Sequence, residues 1–532
     1  MTTKRRYPCP KCGRDMHRSG TNTSGKPRWA CRDGTEKGGR RTICYQTVDP
    51  TAPGVRTFDK TGTLEKPQVF KRALKPVKVF IFTAAQNNTN VHTQFLESLK
   101  QCVKHRDAEL VVQPIHYHNP TRRPATGSED DDTRKWWDPA VMPYLVNTRL
   151  AFHKNVTFLG DIRIQPTASE PLTGLEGFTG AESTIVGHTK LQFKAVPTPG
   201  HKMAKVMTTT GAVTRANYSD SRAGAAGKFH HTLGAVIVEV DGPYFWLRHL
   251  NANGRGEFTD LDVRYTPEGA FEAPRPAALV LGDVHVDAID PTVESATFGA
   301  GGMVETLKPE NIVYHDLCDG YAANPHSRKN PFTSVGKIRA AMNDVEAETR
   351  RAIKWAKNMT PPWAKGWIVD SNHDRFLSRW LADTDWRDDP SNAEFYLETA
   401  LAVVRSAVMK PGGVQYVDPF RYWVDKYKIP NVRCVPEDGL RFAGIEMGMH
   451  GDEGPNGVRG TIRNMRRIGV KSVIGHSHSP GVNEGAYQTG TSSLLSMEYN
   501  KGAPSSWLHT HCVVHSDGKR QLVTIVDSRY RA

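Results

Sequence analysis

Long apolar runs are absent from this chain of 532 residues. No stretch approaches the ~20 consecutive apolar residues that a membrane-spanning helix needs. The first residues, MTTKRRYPCP, contain no apolar core of a signal peptide. We therefore expect a soluble, cytoplasmic protein with no membrane partner, and the length predicts two to four domains.

Cysteine is also scarce, with 8 residues in the whole chain. Such a number in a long chain of cytosolic character argues against a disulfide framework. We expect four of the cysteines to be small buried hydrophobic side chains. These four are Cys102, Cys318, Cys434 and Cys512. The other four lie close together near the N-terminus.

Two further patterns are missing. The sequence shows no internal repeat of solenoid period and no low-complexity tract. The turn AAQNNTN, which follows the strand predicted at Lys78–Thr83, lacks the G-x-G-x-x-G fingerprint. We therefore infer no nucleotide cofactor.

The N-terminal cysteines have the spacing C-x2-C-x18-C-x12-C and comprise Cys9, Cys12, Cys31 and Cys44. Two thiolates two residues apart can occupy adjacent corners of a tetrahedron around zinc, and a second pair closes the site. The first half, CPKCG, is typical of a zinc ribbon, whereas the second half has a longer spacing than a ribbon normally has. His17 could replace Cys44 as the fourth ligand. We expect one structural zinc ion here.

Positive charge is concentrated in the same region. The chain carries a formal net charge of +14, and residues 1–50 hold 12 Lys/Arg against 4 Asp/Glu, a net +8. Arg28, Arg40 and Arg41 lie close in sequence to Trp29 and Tyr45, and cations interleaved with aromatic rings suit phosphate contact and base stacking. The module resembles the small zinc ribbons of transposase-like and other DNA-acting proteins. A structural zinc knob with a solvated basic surface is the alternative.

The sequence predicts four segments: a basic zinc ribbon at 1–48, a linker at 49–76, an accessory α/β and β region at 77–270, and a catalytic domain at 271–532. The accessory region should begin with a βαβ unit, with strands at Lys78–Thr83 and Leu110–Pro114 around a helix at Val91–His105. In the catalytic domain we predict helices at Ser334–Lys357 and Asn392–Met409. Near the C-terminus two strands should be joined at Asp517–Gly518.

Five polar clusters punctuate the catalytic domain, and four of them follow short apolar runs. The five are LGDVHVD at 281–287, HDLCDG at 315–320, SNHD at 371–374, MHGD at 449–452 and GHSH at 475–478. In an α/β sheet, functional side chains commonly follow the C-terminal ends of buried strands in this way. Side chains at positions i and i+2 of an extended strand end point the same way, so Asp283 and His285 could grip one cation together.

The order and content of these clusters resemble the calcineurin-like metallophosphoesterase superfamily over residues 277–493, whose pattern is D-x-H, G-D, G-N-H-D/E, H and G-H-x-H. His315 and Ser371 stand where that family has glycine. The resemblance implies an α/β fold with a β-sandwich flanked by helices, and a site for two divalent metal ions, of which manganese, iron or zinc would suit the ligands. Ordinary core histidines are the alternative, and they would require coincidence at five ordered sites.

The resemblance also implies roles for individual residues. Asp316 would bridge two metal ions. The remaining implied ligands are Asp283, His285 and His478 for one ion, and Asn372, His450 and His476 for the other. His373 matches the leaving-group acid of the family, and Asp374 would hold the tautomer of His373.

The substrate is harder to infer. Arg459, Arg463, Arg466 and Arg467 have the spacing of one helix face, which would put a cationic stripe near the site, although a merely solvated face is the alternative. Together with the basic N-terminus, this stripe favours a DNase and DNA as partner. A small-molecule or cyclic-nucleotide phosphodiesterase and a nucleic-acid-binding protein with secondary catalysis stay open, as does a homo-oligomer. The arrangement looks like early proteins of tailed phages that destroy host DNA, which would act in the host cytoplasm.

Overall fold

The computed structural model describes the chain except for residues 1–6, 9–14, 22–26, 38–39, 46–78, 118–135, 200–202, 325–329 and 498–499. The linker predicted at 49–76 therefore lies outside the described residues, as do Cys9 and Cys12. The described residues form two compact units, one comprising residues 1–192 and 206–272 and the other comprising residues 193–205 and 273–532. No helix in the described part of the chain is both long and apolar enough to span a bilayer.

The N-terminal residues form a four-stranded sheet. Its strands are β1 (Tyr7–Pro8), β2 (Asp15–Thr21), β3 (Pro27–Lys37) and β4 (Arg40–Tyr45), each antiparallel to the next. Cys31 and Cys44 are direct register partners across β3 and β4. The backbone thus brings these two positions together, and the zinc site that would include Cys9 and Cys12 stays a prediction.

The elements between residues 79 and 272 begin with a βαβ unit, as the sequence predicted. In chain order they are β5 (Val79–Gln86), α1 (Thr93–Arg106), β6 (Glu109–Ile115), β7 (Arg149–His153), β8 (Val156–Leu159), β9 (Ser183–Val186), β10 (Gln192–Val196), β11 (Lys205–Thr209), α2 (Arg222–His230), β12 (Gly234–Asp241), β13 (Tyr244–Asn251), β14 (Phe258–Asp260), β15 (Val263–Thr266) and β16 (Gly269–Glu272). Strands β5 and β6 are parallel, and β12 pairs antiparallel with β5 on its other edge.

The hydrophobic core of the first unit forms because α1 has one apolar face. Phe95, Leu96 and Leu99 are buried in a cluster that includes Ile81 of β5 and Ile237 of β12. Burying each such side chain contributes about 1.5–3 kcal/mol. A buried ion network lies in the same unit: Arg248 bonds Asp260 and Glu239, and Arg106 also contacts Glu239.

The second unit includes residues 193–196 of β10 and carries the remaining elements. They are β17 (Ala278–Val280), α3 (Pro291–Phe298), α4 (Met303–Leu307), β18 (Asn311–Tyr314), α5 (Pro331–Arg339), α6 (Val345–Met359), β19 (Lys365–Ile368), α7 (Phe376–Asp383), α8 (Ala393–Ser406), β20 (Val408–Lys410), β21 (Gly413–Gln415), α9 (Pro419–Lys426), β22 (Val432–Cys434), β23 (Arg441–Phe442), β24 (Ile445–Glu446), α10 (Ile462–Met465), β25 (Ser472–Ile474), β26 (Gly481–Asn483), β27 (Ala486–Gln488), β28 (Thr510–Val514) and β29 (Arg520–Thr524).

Two sheets organise the second unit. One has the order β22-β19-β18-β17-β28-β29, with β22, β19, β18 and β17 mutually parallel. In the other, β24, β25 and β27 are parallel neighbours. Strands β28 and β29 form the hairpin predicted around Asp517–Gly518, and His515 and Lys519 close it through a backbone hydrogen bond. The chain is thus a mixed α/β protein.

Two helix predictions need correction. The helix predicted at Ser334–Lys357 is two helices, α5 and α6, because Ala341 has a left-handed backbone with φ 53° and the Asp344 side chain caps α6 at the Ala347 N–H. The helix predicted at Asn392–Met409 ends at Ser406, after which Ala407 is extended and the chain enters the β20–β21 hairpin. In both cases the helical periodicity holds within the helices and fails where a helix ends.

Cys102, Cys318 and Cys512 are buried free thiols, and Cys434 is partly buried and free. Burial raises the pKa of Cys102, Cys434 and Cys512 to about 12 in each case. These thiols therefore stay protonated at neutral pH. The prediction of small buried hydrophobic side chains is confirmed for Cys102, Cys318 and Cys512, whereas Cys434 is only partly buried.

Candidate metal centre

The first polar side chains of the site follow the C-terminal ends of three parallel strands. Strands β17, β18 and β19 are parallel, so their C-terminal ends lie side by side, and Asp283, Asp316 and Asn372 follow these ends in the chain. His450 follows β24, and His476 follows its parallel neighbour β25. The structure therefore brings together clusters that lie almost two hundred residues apart in the sequence.

One group of ligands comprises Asp283, His285, Asp316 and His478. All four are buried, and each offers one ligand atom within 4.8 Å of the others. The Nε2 atom of His478 lies 3.1 Å from Nε2 of His285 and 3.2 Å from Oδ2 of Asp283. Oδ2 of Asp316 lies 3.7 Å from Nε2 of His285. Four atoms that normally bind cations thus surround one point.

A second group comprises Asn372, His450 and His476. The amide oxygen Oδ1 of Asn372 lies 3.0 Å from Nε2 of His450 and 3.0 Å from Nδ1 of His476. Nε2 of His450 also lies 3.2 Å from Oδ2 of Asp316. The same carboxylate oxygen of Asp316 therefore faces both groups. Its other oxygen, Oδ1, accepts the backbone N–H of His373 at 3.4 Å.

The backbone at the site is strained. His285, Asp316, His476 and His478 all have positive φ, between 42° and 73°. Left-handed backbone is unfavourable for residues other than glycine, and it persists where surrounding structure enforces it, commonly at functional sites. Four such residues in one cluster indicate that side-chain placement, rather than local stability, determines the conformation of these loops.

Buried carboxylates and imidazoles perturb one another here. Burial would lower the pKa of His285, but Asp319, Asp316 and Asp283 outweigh it and raise the pKa to about 9. Burial would likewise lower the pKa of His450, but Asp316 and Asp283 raise it to about 9. Conversely, burial would raise the pKa of Asp316, and neighbouring histidines hold it well below the usual range. The carboxylates of the cluster are therefore ionised, and protonated His285 and His450 compensate their charge where no metal ion is bound.

The environment of Asp283 is further evidence that these residues could hold a metal ion. Both oxygens of the Asp283 carboxylate are buried, and neither accepts a hydrogen bond with normal geometry from the described residues. An ionised carboxylate in such a position is costly unless a cation compensates it. Gly475 leaves room beside it, since a Cβ there would collide with Oδ1 of Asp283. Imidazole nitrogens with carboxylate and amide oxygens are suited to first-row divalent metals.

Three neighbours that sequence reasoning did not assign support these side chains. Nδ1 of His285 lies 3.1 Å from Oδ1 of Asp319, the usual arrangement that orients a ligating imidazole. Nδ1 of His450 lies 3.4 Å from Nδ1 of His315. Nδ1 of His511 accepts the backbone N–H of Gly282 at 2.9 Å, and its Nε2 donates to Thr297. The sequence offered only weak signals for these roles: the D-x-x-D spacing of Asp316 and Asp319, and His315 in place of glycine.

His373 lies at the edge of the cluster, and its contacts differ from those expected. Its Nδ1 donates to the backbone carbonyl of Asp319 at 2.7 Å, which leaves Nε2 as the other ring nitrogen. Asp374 does not contact His373. Its Oδ1 accepts the N–H of Cys318, and its Oδ2 accepts the hydroxyl of Ser371. The expectation that Asp374 holds the His373 tautomer is therefore wrong, because the Asp374 side chain is turned inward and buried.

The arginine segment also differs from the expected single helix face. Helix α10 begins only at Ile462, with Thr461 as its cap, so Arg459 lies outside it in a short bridge to Glu453. Arg459, Arg463 and Arg467 are exposed. Arg466 is half-buried and lies 3.1 Å from Oδ1 of Asn483 and 3.5 Å from Oε1 of Glu484. The segment presents three exposed cations rather than a continuous helical stripe.

Arg28 lies in β3, and Arg40 and Arg41 lie in β4. The structure describes only the backbone at these positions, so their contact with nucleic acid stays a prediction.

The fold and the cluster together define a mixed α/β protein with a buried histidine and carboxylate centre able to hold a metal ion. Protein A1 of Escherichia phage T5 is 31% identical to this chain over 471 residues, which cover 86% of this chain and 84% of that protein. The chain therefore belongs to the family of this phage protein. No family model matches the chain, and no solved structure matches it.

Proposed function

We propose that this protein is a metal-dependent phosphodiesterase that cuts DNA. The observation that carries the proposal is the position of Asp316, whose Oδ2 atom faces His285 of one ligand group and His450 of the other. A carboxylate shared between two groups of ligands is what a pair of divalent ions requires. Manganese suits the mixture of imidazole nitrogen and hard oxygen ligands, and iron or zinc would also fit.

Divalent ions held there would supply positive charge at the phosphoryl oxygens and lower the pKa of a bound water. The residues of the chain supply the rest. Asp283, His285 and His478 would hold one ion, and Asn372, His450 and His476 would hold the other, with Asp316 between them. Asp319 and His315 keep two of these imidazoles in orientation, because each faces the ring nitrogen opposite the one that lies among the ligands.

In this proposal His373 would donate a proton to the leaving oxygen. Its Nδ1 is fixed by the Asp319 carbonyl, and the side chain is 17% exposed. Asn372 and His476 are also only partly buried, whereas Asp283, His285 and Asp316 are fully buried. The open side of the cluster is therefore the side with His373, where a substrate phosphate can arrive. A proton held at Nε2 would pass to the departing 3′ or 5′ oxygen.

DNA is favoured as the substrate by charge and by family. The excess of +8 in residues 1–50 and the exposed Arg459, Arg463 and Arg467 offer cations to a polyanion. Membership in a family with a phage protein is compatible with attack on host DNA in the host cytoplasm. The order of the five polar clusters supports the metallophosphoesterase superfamily and its phosphodiesterase and nuclease members.

Hydrolysis assays test this proposal. The purified protein with manganese should hydrolyse bis-p-nitrophenyl phosphate and linear DNA, and Asp316→Asn and His450→Ala should abolish both activities. Arg350→Ala, which alters an exposed ion pair with Glu346 in the same unit, is the matched control and should retain activity. Parallel reactions on duplex DNA, single strands, RNA and cyclic nucleotides separate a nuclease from a small-molecule enzyme. Full activity after dialysis against excess EDTA would refute the proposal.

A further inference from the structure

Helix α8 shows an unusual distribution of apolar side chains. Its inner face is fixed in the second unit by Phe395, which stacks on Trp423 at 4.6 Å between ring centroids, and by Thr399, which accepts the indole N–H of Trp423. The outer face carries Leu397, Leu401 and Val404, which are 47%, 46% and 69% exposed. The steps of four and three residues place these three side chains in one row along the helix.

Further exposed apolar side chains follow the end of the helix in the chain. The β20–β21 hairpin follows directly, and Ser406 Oγ accepts the N–H of Val417, which closes the base of the hairpin against α8. Met409 and Val414 are cross-strand partners, and Tyr416 lies two residues after Val414, so these three side chains share one face of the hairpin. All three are more than half exposed. We call the six apolar residues of helix and hairpin the α8 patch.

An exposed patch of this kind needs an explanation. Single exposed apolar side chains are normal, but contiguous groups of them mark interaction surfaces. An isolated two-stranded hairpin is also marginally stable in water, and packing against another surface would stabilise it.

The charges at the ends of the row indicate the occupant. Glu394 and Arg405 are exposed and flank the apolar row at its N-terminal and C-terminal ends. Among the described residues neither has an ion-pair partner. If two copies of α8 pack antiparallel about a two-fold axis between Leu397 and Leu401, Leu397 of one copy meets Leu401 of the other. The same side of each helix then faces the other copy. Glu394 of each copy lies opposite Arg405 of the other, which gives two symmetric ion pairs.

We propose that the α8 patch is the interface of a homodimer, in which α8 pairs antiparallel with α8 of a second copy of this chain. The row is self-complementary in its apolar pattern and in its charge, as a two-fold interface requires. The proposal is independent of the reaction at the metal centre.

Sedimentation equilibrium of the full-length protein over a wide range of concentration tests the proposal. The wild type should have twice the mass of one chain, and Leu401→Glu should raise the dimer dissociation constant by roughly 100-fold or more, since a carboxylate would replace an apolar contact at the centre of the interface. Ile338→Glu is the matched control, because Ile338 is a similarly exposed side chain on α5 of the same unit. It should leave the dissociation constant unchanged.

Charge reversal provides the sharper test, since exposed charges rarely affect folding. Glu394→Arg and Arg405→Glu should each raise the dissociation constant by roughly 3- to 10-fold at low salt. The double variant should restore it, because the pairs reform with reversed sign, and high salt should reduce all three differences. A wild-type monomer at every concentration would overturn the proposal. A dimer insensitive to Leu401→Glu, or a double variant weaker than both single variants, would overturn it as well.

Discussion

The imidazole of His373 donates its Nδ1–H to the backbone carbonyl of Asp319 across 2.7 Å. A carbonyl oxygen can only accept, so this bond fixes the ring orientation and leaves Nε2 to exchange a proton with a substrate. Asp319 also lies 3.1 Å from His285 through its side chain. One residue thus orients both a candidate metal ligand and the candidate acid.

We expect His373→Ala to spare metal binding and to slow turnover by roughly 10²–10⁴-fold, the usual contribution of a positioned general acid. The loss should be smaller for an activated phenolate leaving group, which departs without a proton. Steady-state rates on bis-p-nitrophenyl phosphate and on DNA measure the difference. An equal loss on both substrates would argue against the acid role.

Asp374→Asn serves as the companion variant to His373→Ala. Burial, with the nearby charge of Asp316, raises the pKa of Asp374 to about 8, and its carboxyl group bonds Ser371 and the Cys318 N–H. An amide there keeps an acceptor for one of these donors. We therefore expect Asp374→Asn to lower thermal stability without the dependence on leaving group that marks His373→Ala.

Metal binding should release protons. His285 and His450 have pKa values raised to about 9, so both are protonated at pH 7 without metal, and a ligating imidazole nitrogen must be neutral. The apparent affinity for manganese should therefore rise with pH up to about 9 and then level off. Calorimetry in two buffers of different ionisation enthalpy counts the protons. His450→Ala should release fewer, and an affinity independent of pH between 6 and 9 would contradict the assignment.

The sequence was most informative where chemistry and periodicity coincide. The i, i+2 pair of Asp283 and His285 after a short apolar run predicted the position of the candidate metal site, and parallel β17 and β18 place Asp316 beside it. The expected extended backbone was wrong, because β17 ends at Val280 and His285 is left-handed with φ 47°. His511 could not be assigned, because its partner Gly282 lies 229 residues away and a histidine in a strand has no signature of its own. Contacts of that kind depend on the tertiary fold alone.

The incorrect predictions from the sequence have local structural causes. A left-handed residue such as Ala341 breaks a helix without a proline or glycine to mark it. The four arginines have the spacing of a helix face, but α10 has only four residues. It begins after its N-cap Thr461 and ends at Met465, so it does not contain all four arginines. Asp374 looked like a partner of His373 because the two are adjacent, yet adjacent residues of a loop point in different directions.

The buried ion network of the first unit predicts a dependence of stability on pH. Burial would raise the pKa of Glu239, but Arg248 and Arg106 outweigh it, and the pKa falls to about 2. The stabilisation from this carboxylate is therefore complete above its ordinary pKa and is lost as the pH falls towards 2. Glu239→Gln should cost about 3–5 kcal/mol at pH 7, because it leaves Arg248 without a full set of partners. The cost should shrink as the pH approaches 2.

Hydrogen exchange of the β12 and β13 amides, followed across this pH range, measures the effect of Glu239→Gln locally. Glu257→Gln is the matched control, because Glu257 pairs with a partly exposed Arg264 in the same unit. Such pairs contribute about 0–1 kcal/mol. Equal effects of the two variants would contradict the special role of the buried network.

The predicted zinc ion is tested by Cys9→Ser together with Cys12→Ser. We expect the wild type to contain one zinc ion per chain that resists dialysis, since four thiolates saturate a tetrahedral ion. The double variant should lose it, retain turnover of the small diester, and bind DNA more weakly. Cys434→Ser, which alters a thiol outside the N-terminal set, should keep the zinc. Retention of zinc by the double variant would contradict the ligand assignment.

The arginines of the 459–467 segment should differ in their contribution to DNA binding, because their surroundings differ. Arg463 and Arg467 are exposed, and neither has a carboxylate partner among the described residues, so each can neutralise a phosphate. Arg466 already lies against Asn483 and Glu484. We expect Arg463→Ala and Arg467→Ala to weaken binding to duplex DNA and to flatten its salt dependence, by ~0.9 in log affinity per log salt for each phosphate that is no longer neutralised. Arg466→Ala should mainly lower stability. Binding measured in an Asp316→Asn background, where the DNA stays intact, separates the two effects, and an unchanged slope in the Arg463 and Arg467 variants would place the DNA elsewhere on the protein.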